Sequence, residues 1–513
     1  MAEEKKSRLY VLKPIIERWP AVSKSEGHVT FRTKIFWTLL CLILYFILTN
    51  VMIFGLKGDI IDLFENYRFI MAGASGSIMH LGIGPIVTAS IILQLFVGAK
   101  IINLDLQKKE DKAIYQGTQK VLVVVMIVVE AVPQIFGYLQ PSDGLVALTG
   151  GAELANLVII IQLCAGAFLV FFMDELISKW GIGSGISLFI AAGVSQAIFT
   201  GLFNWFPTNG LLGLSVNNPP AGVIPGTLYL TNEMSLGQIM NTGYQTMFMG
   251  QPGVYENAIV PLLGTIVIFF IVVYAESSRI ELPLAHGKVR GARGRYPIRL
   301  IYASNIPVIL MAALLANVNM FAMLLHKAGD KIPLLGGQWW IGSYDLTQST
   351  QPMAGGAWYL SSPGGINSWL MPILYGGYGG HAAWQYAAKV ILYLSIMIFG
   401  SILFAKFWIE TTNMGPADVA KQIQGSGMQI PGFRRDPRVL KKVLIRYIPV
   451  VTVIGGAAVG ALAGFADCVG TIGKASGTGV LLTVGIMIRM YEDIAKEQAM
   501  EMHPVLRGFF GNE

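Results

Sequence analysis

Ten long apolar stretches dominate this 513-residue sequence. A membrane-spanning helix needs about 20 predominantly apolar residues, and each stretch is close to that length. Only 13% of the residues are charged, whereas a soluble globular domain has about 25%. The sequence therefore predicts an all-α polytopic membrane protein and excludes a soluble enzyme or a disordered chain. The predicted spans 1 to 10 cover residues 34–55, 82–99, 120–139, 154–173, 185–204, 258–275, 300–320, 389–409, 447–466 and 473–490.

Most basic residues fall on one side of the predicted membrane. With ten spans both termini share a side, and most of the 37 Lys and Arg residues lie in the segments on that side. By the positive-inside rule, both termini are expected in the cytoplasm. The N-terminal segment 1–33 lacks the apolar core of a signal peptide, and Arg8 to Trp19 is a candidate amphipathic surface helix. The basic residues expected on the opposite side are Lys57, Arg68, Lys327, Lys331 and Lys474.

The connection 205–256 divides the chain into two halves, 34–204 and 257–490, with five predicted spans each. An odd number of spans per half forces the halves into opposite orientations, as in inverted repeats. The residues themselves show no clear repeat. The remaining parts are the cytoplasmic N-terminal segment, cytoplasmic loops 279–299 and 410–446, a cytoplasmic tail (491–513), and outer loops 205–256 and 321–388. The outer loops are rich in Gly, Pro, Asn and aromatic residues and are expected to form small ordered caps.

No motif for nucleotide, metal or covalent chemistry is present in the sequence. Gly181 to Gly185 has the spacing of a dinucleotide fingerprint, but it follows a predicted membrane helix and not a strand. The six histidines form no H-E-x-x-H pair. Cys41, Cys164 and Cys468 form no C-x-x-C pair, so neither a zinc site nor a disulfide framework is expected. The sequence predicts no enzyme activity, no cofactor and no metal.

Glu130 is the one acidic residue near the centre of a predicted span. An ionisable residue inside the membrane is costly and is a functional candidate by default. A hydrogen-bonded structural glutamate is the alternative that the sequence leaves open. Transporters driven by protons or sodium usually bury several such groups. A secondary transporter with inverted repeats therefore stays an alternative function, but a multi-site proton relay is not expected.

A short polar segment precedes span 2. Ile60 to Ser77 is too short and too polar to cross a membrane, and it is followed by Gly82-Ile83-Gly84-Pro85. Non-helical backbone at membrane depth persists only where protein buries it or where it lines a water-filled cavity. This pattern predicts a re-entrant half-helix inside the bundle, with an ordinary outer loop as the alternative.

Four stretches carry a resemblance to a known family. They are GIGPIVTASIILQL (82–95), MDELISKWGIGSGI (173–186), YPI with SNIP (296–298 and 304–307), and GTGVLL (477–482). Together they closely resemble SecY, the channel subunit of the Sec protein translocase, over nearly the whole chain and all ten spans. The segments GIGPIVT, SNIPVI and AHGKVRGARGRYP are similar to the archaeal branch of that family. The two outer loops are longer than the family pattern, so nothing carries over to them.

The resemblance implies two halves that close around an hourglass-shaped pore with a plug, 60–72, beneath its waist on the outer side. Two of the pairs expected in the waist are i,i+4 neighbours on one helix face. A narrow apolar ring stops ions by dewetting, while its flexible side chains can yield to a passing chain. Without the resemblance, these residues would be ordinary packing or lipid-facing aliphatics. The implied ring consists of Ile83, Val87, Ile186, Ile190, Ile309 and Leu482, with Leu481 as an alternative to Leu482.

The resemblance further implies a lateral gate between spans 2 and 3 on one side and spans 7 and 8 on the other. Thr88, Glu130 and Asn317 match polar positions of that gate. Hydrogen bonds between membrane helices contribute about 0.6 to 2 kcal/mol. Such bonds can hold a seam closed and still yield to an apolar signal helix.

The cytoplasmic loops 279–299 and 410–446 carry the densest basic charge. Composition alone permits a phospholipid-facing surface or a docking face for an anionic partner. In the family these loops receive the ribosome. The candidates for contacts with ribosomal RNA and protein are Arg290, Arg293, Arg295, Arg434 and Arg435.

The predicted function is a protein-conducting channel subunit in the cell membrane, which moves unfolded polypeptides across it and releases transmembrane segments laterally into lipid. The resemblance implies as partners the SecE/gamma and Sec-beta subunits in a heterotrimer, the ribosome, the nascent polypeptide, membrane lipids and, indirectly, the receptor of the signal-recognition pathway. No small-molecule substrate is implied. The alternatives are the secondary transporter, which needs a specific solute site, and an insertase scaffold without a continuous pore.

Overall fold

A computed structural model describes most of the chain. The predicted plug, 60–72, lies outside the described residues except for Ala72, and so do Arg290, Arg434 and Arg435. The described residues are 8–23, 29–57, 72–99, 101–102, 104, 108–137, 139–207, 213–216, 218–250, 257–286, 293–299, 305–329, 338–344, 352–412, 414–425, 428–429, 437–473 and 475–502.

Ten helices within these residues overlap the ten predicted spans, and several extend well beyond them. In the first half they are α2 (Phe31–Asn50), α3 (Gly84–Gly98), α4 (Lys109–Gly137), α6 (Ala152–Trp180) and α7 (Gly185–Phe203). In the second half they are α11 (Ile259–Ser277), α12 (Ile306–Ala328), α15 (Ala383–Thr411), α17 (Pro437–Val469) and α18 (Gly477–Met502). Eight of them are long and apolar enough to cross a membrane. Helix α3 has only 15 residues, and α18 is charged in its second half.

Shorter elements connect these helices. The helical ones are a 3₁₀ turn (Arg8–Leu12), α1 (Lys13–Glu17), α5 (Asp143–Thr149), α8 (Val223–Glu233), α9 (Leu236–Gln238), a π turn (Ile239–Gly243), α10 (Tyr244–Met249), α13 (Gly356–Leu360), α14 (Ile366–Leu374) and α16 (Pro416–Gly425). The strands are β1 (Arg279–His286), β2 (Arg293–Arg299), β3 (Ser343–Tyr344), β4 (Pro352–Ala354), β5 (Gly377–Tyr378), β6 (His381–Ala382) and β7 (Met428–Gln429).

Local chemistry explains where several helices begin. Pro85 and Pro307 lie in the first turns of α3 and α12, where a missing backbone N–H removes no helical hydrogen bond. Span 7 was predicted from residue 300, but its helix begins at Ile306, next to that proline. Helix α4 begins well before the predicted residue 120, and Glu110 and Asp111 in its first turn interact favourably with the helix dipole.

The two halves pack internally and then meet along two seams. In the first half α4 packs against α3 and α6, and α2 packs against α6; in the second half α15 packs against α12 and α17. One seam joins α3 and α4 to α12, and α3 to α15. The other joins α7 and α2 to α18. One continuous apolar cluster runs through both halves.

A stripe of small residues brings α17 close to α15. An ideal Cβ on Gly460 would lie 2.5 Å from the Met397 carbonyl oxygen, and one on Gly456 would lie 3.0 Å from Ala405 Cβ. Gly464, one turn further, faces Leu394. Glycines at every fourth position let membrane helices approach closely, which explains part of the glycine content of the chain.

The outer loops form ordered caps in their described parts. In the first cap α8 packs against α10, and in the second β3 pairs with β4 and β5 with β6, all antiparallel. Asn367 Nδ2 donates to the Met249 carbonyl (2.9 Å) and joins the two caps. Trp369 Nε1 donates to the Cys468 carbonyl (2.9 Å) and ties the second cap to α17.

The N-terminal segment lies against the start of α4 and the end of α6. Ile16 fills the space beside Gly117, and the Tyr10 hydroxyl donates to the Asp111 carboxylate. That hydrogen bond raises the pKa of Tyr10 to about 12. Glu175 pairs with Lys179 (2.8 Å) and with Lys120. The segment is helical at Arg8–Leu12 and Lys13–Glu17 and is attached to the first half by these contacts.

Candidate pore and lateral gate

The backbone between Ala72 and Ile83 forms no regular helix and is largely buried. Ser77, Met79, His80 and Leu81 are all buried. Gly76 N donates to His80 Nδ1 (2.9 Å), and Ile53 N donates to the Gly76 carbonyl (2.9 Å). Polar backbone groups therefore find partners inside the protein, as they must at membrane depth. The break predicted at Gly82-Ile83-Gly84-Pro85 is confirmed.

The six predicted ring residues lie at the starts of four helices. Ile83 and Val87 flank the start of α3, and Ile186 and Ile190 lie in the first two turns of α7. Ile309 lies in the first turn of α12, and Leu482 in the second turn of α18. Five of them are buried in the central cluster, and Ile186 packs against it while partly exposed. Leu481 is buried there as well, so burial alone does not choose between Leu481 and Leu482.

The structure brings the three predicted polar residues together at the first seam. Asn317 Nδ2 on α12 donates to Thr88 Oγ1 on α3 (3.2 Å), and Thr88 in turn donates to the Gly84 carbonyl (3.0 Å). The Glu130 carboxyl on α4 is buried and faces the Thr88 hydroxyl. Its Oε1 has no hydrogen-bond partner among the described residues. The cluster therefore joins the two halves with few hydrogen bonds.

Two further close contacts between helices were not predicted. An ideal Cβ on Gly98 of α3 would lie 2.7 Å from Phe407 Cδ1 of α15, across the same seam. An ideal Cβ on Gly485 of α18 would lie 1.9 Å from Asn305 Nδ2, and it would also lie close to Glu276 Oε1. Asn305 belongs to the SNIP motif, but its sequence context gave no sign of this contact.

Backbone pairing joins the two basic loops, 279–299 and 410–446, in one three-stranded sheet. Strand β1 pairs antiparallel with β2 from Arg279↔Arg299 to Ala285↔Arg293. Strand β7, from the loop 410–446, adds to β1 through Ala285↔Gln429 and His286↔Met428. Arg293 and Arg295 lie on β2, whereas Arg290, Arg434 and Arg435 lie outside the described residues.

No group of three or more His, Cys, Asp or Glu side chains that could hold a metal ion occurs in the described part of the chain. Cys41, Cys164 and Cys468 are free thiols. The polar groups at the seams are single side chains bound to neighbouring helices. Their arrangement is suited to holding helices together rather than to covalent chemistry.

Comparison with known proteins agrees with this arrangement. The SecY family profile matches residues 77–491, and the profile of the plug domain of Sec61p matches residues 43–76. Protein translocase subunit SecY of Archaeoglobus fulgidus is 46% identical over 513 residues, which are 99% of each chain. A solved structure of a protein-conducting channel has a TM-score of 0.73 and 39% identity over 96% of this chain and 98% of that one. Sec61 in the canine ribosome–channel complex from the endoplasmic reticulum has a TM-score of 0.70 and 39% identity, with the same coverage.

Identity of this extent over the whole chain, together with ten helices in two halves and a non-helical segment before α3, supports a translocase channel over a secondary transporter. The chain therefore belongs to the SecY family of protein translocase subunits.

Proposed function

We propose that this chain forms a pore for unfolded polypeptides and a lateral exit for transmembrane segments. The first seam supports this proposal. There α3 and α4 pack against α12, α3 packs against α15, and the Asn317–Thr88 hydrogen bond links the halves. A seam with few polar links can open and close again. The assembled complex in liposomes should translocate a secretory chain with a signal sequence and not the same chain without one. Equal transport of both chains would contradict the proposal.

The constriction of this pore is the apolar ring of Ile83, Val87, Ile186, Ile190, Ile309 and Leu482. The burial of five of these side chains at the starts of four helices supports this assignment. A ring of aliphatic side chains excludes ions by dewetting and binds no particular sequence. The segment 60–72 is the plug, consistent with the Sec61p plug profile over residues 43–76.

Thr88, Glu130 and Asn317 set how easily the gate opens. Thr88→Val removes the acceptor of the Asn317 hydrogen bond, whereas Thr88→Ser keeps it. Loss of one such bond should favour the open seam by about 0.6 to 1.7 kcal/mol, or about 3- to 16-fold. The T88V complex should therefore export proteins with weakened signal sequences better than wild type does, and E130Q, which replaces the carboxyl that faces Thr88, should change the signal strength that the gate needs. The measurement is export of matched strong-signal and weak-signal substrates, and T88S is the control. An unchanged ratio for both variants would remove this cluster from the gate.

The cytoplasmic sheet of β1, β2 and β7, with the loops that it joins, is the docking face for the ribosome. Its basic residues Arg290, Arg293, Arg295, Arg434 and Arg435 are suited to phosphate contacts, and the canine relative is a ribosome–channel complex. The chain assembles with the SecE/gamma and Sec-beta subunits, receives chains from the signal-recognition pathway and carries no catalytic site. Both termini are cytoplasmic and the protein resides in the cell membrane.

Reversal of Arg434 and Arg435 to Glu should weaken ribosome binding. Phosphate contacts release counterions, so affinity falls steeply with salt. The variant should bind ribosomes more weakly in low salt and show a shallower salt dependence than wild type, measured by co-sedimentation across a salt series. Lys13→Glu with Lys24→Glu is a control of equal charge change elsewhere on the cytoplasmic side. Equal affinities of wild type and the Arg variant would exclude these two residues.

A further inference from the structure

The same polar contact occurs in both halves of the protein. Thr38 Oγ1 on α2 accepts a hydrogen bond from Ile182 N (3.0 Å), and Thr265 Oγ1 on α11 accepts one from Ile472 N (2.9 Å). Helices α2 and α11 are the first spans of their halves, and both isoleucines lie in the turn between the fourth and fifth spans. Each isoleucine precedes a glycine with positive φ, +77° at position 183 and +62° at position 473.

A second contact is repeated in the same places. Asp174 Oδ1 on α6 accepts from Ile186 N (2.9 Å), and Asp467 Oδ1 on α17 accepts from Thr478 N (2.9 Å). Both N–H groups belong to the second residue of the fifth span of a half, α7 or α18. These carboxylates act as N-caps supplied by the preceding helix, because the first N–H groups of a helix have no acceptor within it.

Asp467 is held by further donors. Thr478 Oγ1 (2.7 Å) and the Tyr393 hydroxyl (2.8 Å) donate to its Oδ2. The first residue of each capped helix is a glycine that lies against the helix before it. An ideal Cβ would lie 2.6 Å from Asp174 Cα at Gly185, and 2.1 Å from the Ala466 carbonyl carbon at Gly477.

These repeated contacts show which residues of the two halves correspond to each other. When Gly185 is matched to Gly477, Ile190 corresponds to Leu482 and Phe189 corresponds to Leu481. The Phe189 ring stacks on Tyr45 of α2, with centroids 5.0 Å apart, and is therefore used for packing within its half. In α3 and α12, matching Pro85 to Pro307 makes Val87 correspond to Ile309. Four of the ring residues thus form two equivalent pairs.

We propose that Thr38 with Asp174, and Thr265 with Asp467, are positioning residues that fix the rotation of α7 and α18, so that Leu482 and not Leu481 lies in the ring. The inference rests on the proposed pore. Successive residues lie about 100° apart around a helix. A rotation of α18 by one residue would therefore place Leu481 in the ring instead of Leu482. Helices α7 and α18 also pack against each other at the second seam, which couples the two pairs of positioning residues.

The register is tested by single cysteines at positions 189, 190, 481 and 482. The variants are made in a chain whose native cysteines are replaced, assembled with the partner subunits, and probed with a stalled translocating chain that carries one thiol. We expect disulfides with the stalled chain at 190 and 482, and none or few at 189 and 481. Crosslinking at 481 in preference to 482, with 190 still reactive, would overturn the inference and leave the pore intact. If neither 190 nor 482 forms a crosslink during active translocation, both the proposed pore and this inference are contradicted.

The positioning role is tested by the pair Thr265→Val and Thr265→Ser. The valine lacks the acceptor for Ile472 N, whereas the serine keeps it. In T265V the crosslinks should spread from 482 to 481 and the resting conductance should rise several-fold, and T265S should behave as wild type. Thr38→Val and Thr38→Ser form the equivalent pair for 190 and 189. Wild-type crosslinking ratios and conductance in both valine variants, in complexes that assemble normally, would show that these threonines do not position the ring.

Discussion

Serine in place of Ile186 or Ile309 should make the resting channel conduct ions. Each side chain belongs to the proposed ring, one from each half, and Ile309 is buried in the central cluster. Serine is smaller and its hydroxyl binds water, so the constriction would stay wet and the barrier against ions would fall. The expected result is a several-fold increase in conductance of the purified complex in a planar bilayer without substrate, and a larger increase in the double variant.

A general loosening of the bundle could also cause a leak, and Ile159→Ser separates the two effects. Ile159 lies on α6, is fully buried and belongs to the same apolar cluster, but it is not a ring residue. Its replacement should reduce stability, because it places a polar group in the core, without raising conductance. A leak in I159S as large as that in I309S would argue against the ring.

Joining Thr88 to Asn317 by a short covalent link should stop translocation almost completely. The two side chains are hydrogen-bonded across the seam at 3.2 Å, so cysteines at these positions are within reach of a short bifunctional thiol reagent. The link would hold α3 against α12 and prevent the halves from separating. Both lateral release of a membrane helix and insertion of a signal sequence should be lost after crosslinking, and both should return with a reagent that can be cleaved.

A matched pair within one half controls for the chemistry. Gln119 Nε2 on α4 donates to Ser90 Oγ on α3 at 2.7 Å, and both helices belong to the first half. Cysteines at 90 and 119, linked by the same reagent, should leave translocation largely unchanged. Normal transport through a complex fully linked between 88 and 317 would contradict the assignment of this seam as the gate.

Much of the fold followed from patterns within single segments. Apolar length predicted all ten helices, and Gly82-Ile83-Gly84-Pro85 predicted the break before α3, because proline and glycine act on the backbone directly. The predicted start of α4, start of α17 and end of α18 differ from the observed ones by ten to twelve residues, because charged residues extend these helices beyond their apolar stretches.

The contacts that join distant segments could not be predicted from the sequence. Thr38 and Thr265 look like ordinary polar residues near helix ends, and only the structure shows that both accept from an isoleucine in an equivalent turn. The turn between the fourth and fifth spans has four residues in the first half, 181–184, and seven in the second, 470–476, so the two sets of contact residues do not share one spacing in the sequence. The close approach of Gly98 to Phe407 likewise depends on how the two halves dock.

The ring is the central claim, and contact between Ile186 and a chain in transit tests it most directly. A photoreactive residue at position 186 should crosslink to a stalled translocating polypeptide at successive positions along its length, as the point of stalling is varied. The same probe at Ile391, which is exposed on α15, should crosslink to lipid or to a partner subunit. Absence of any crosslink from 186 while secretory chains continue to cross the membrane would contradict the account.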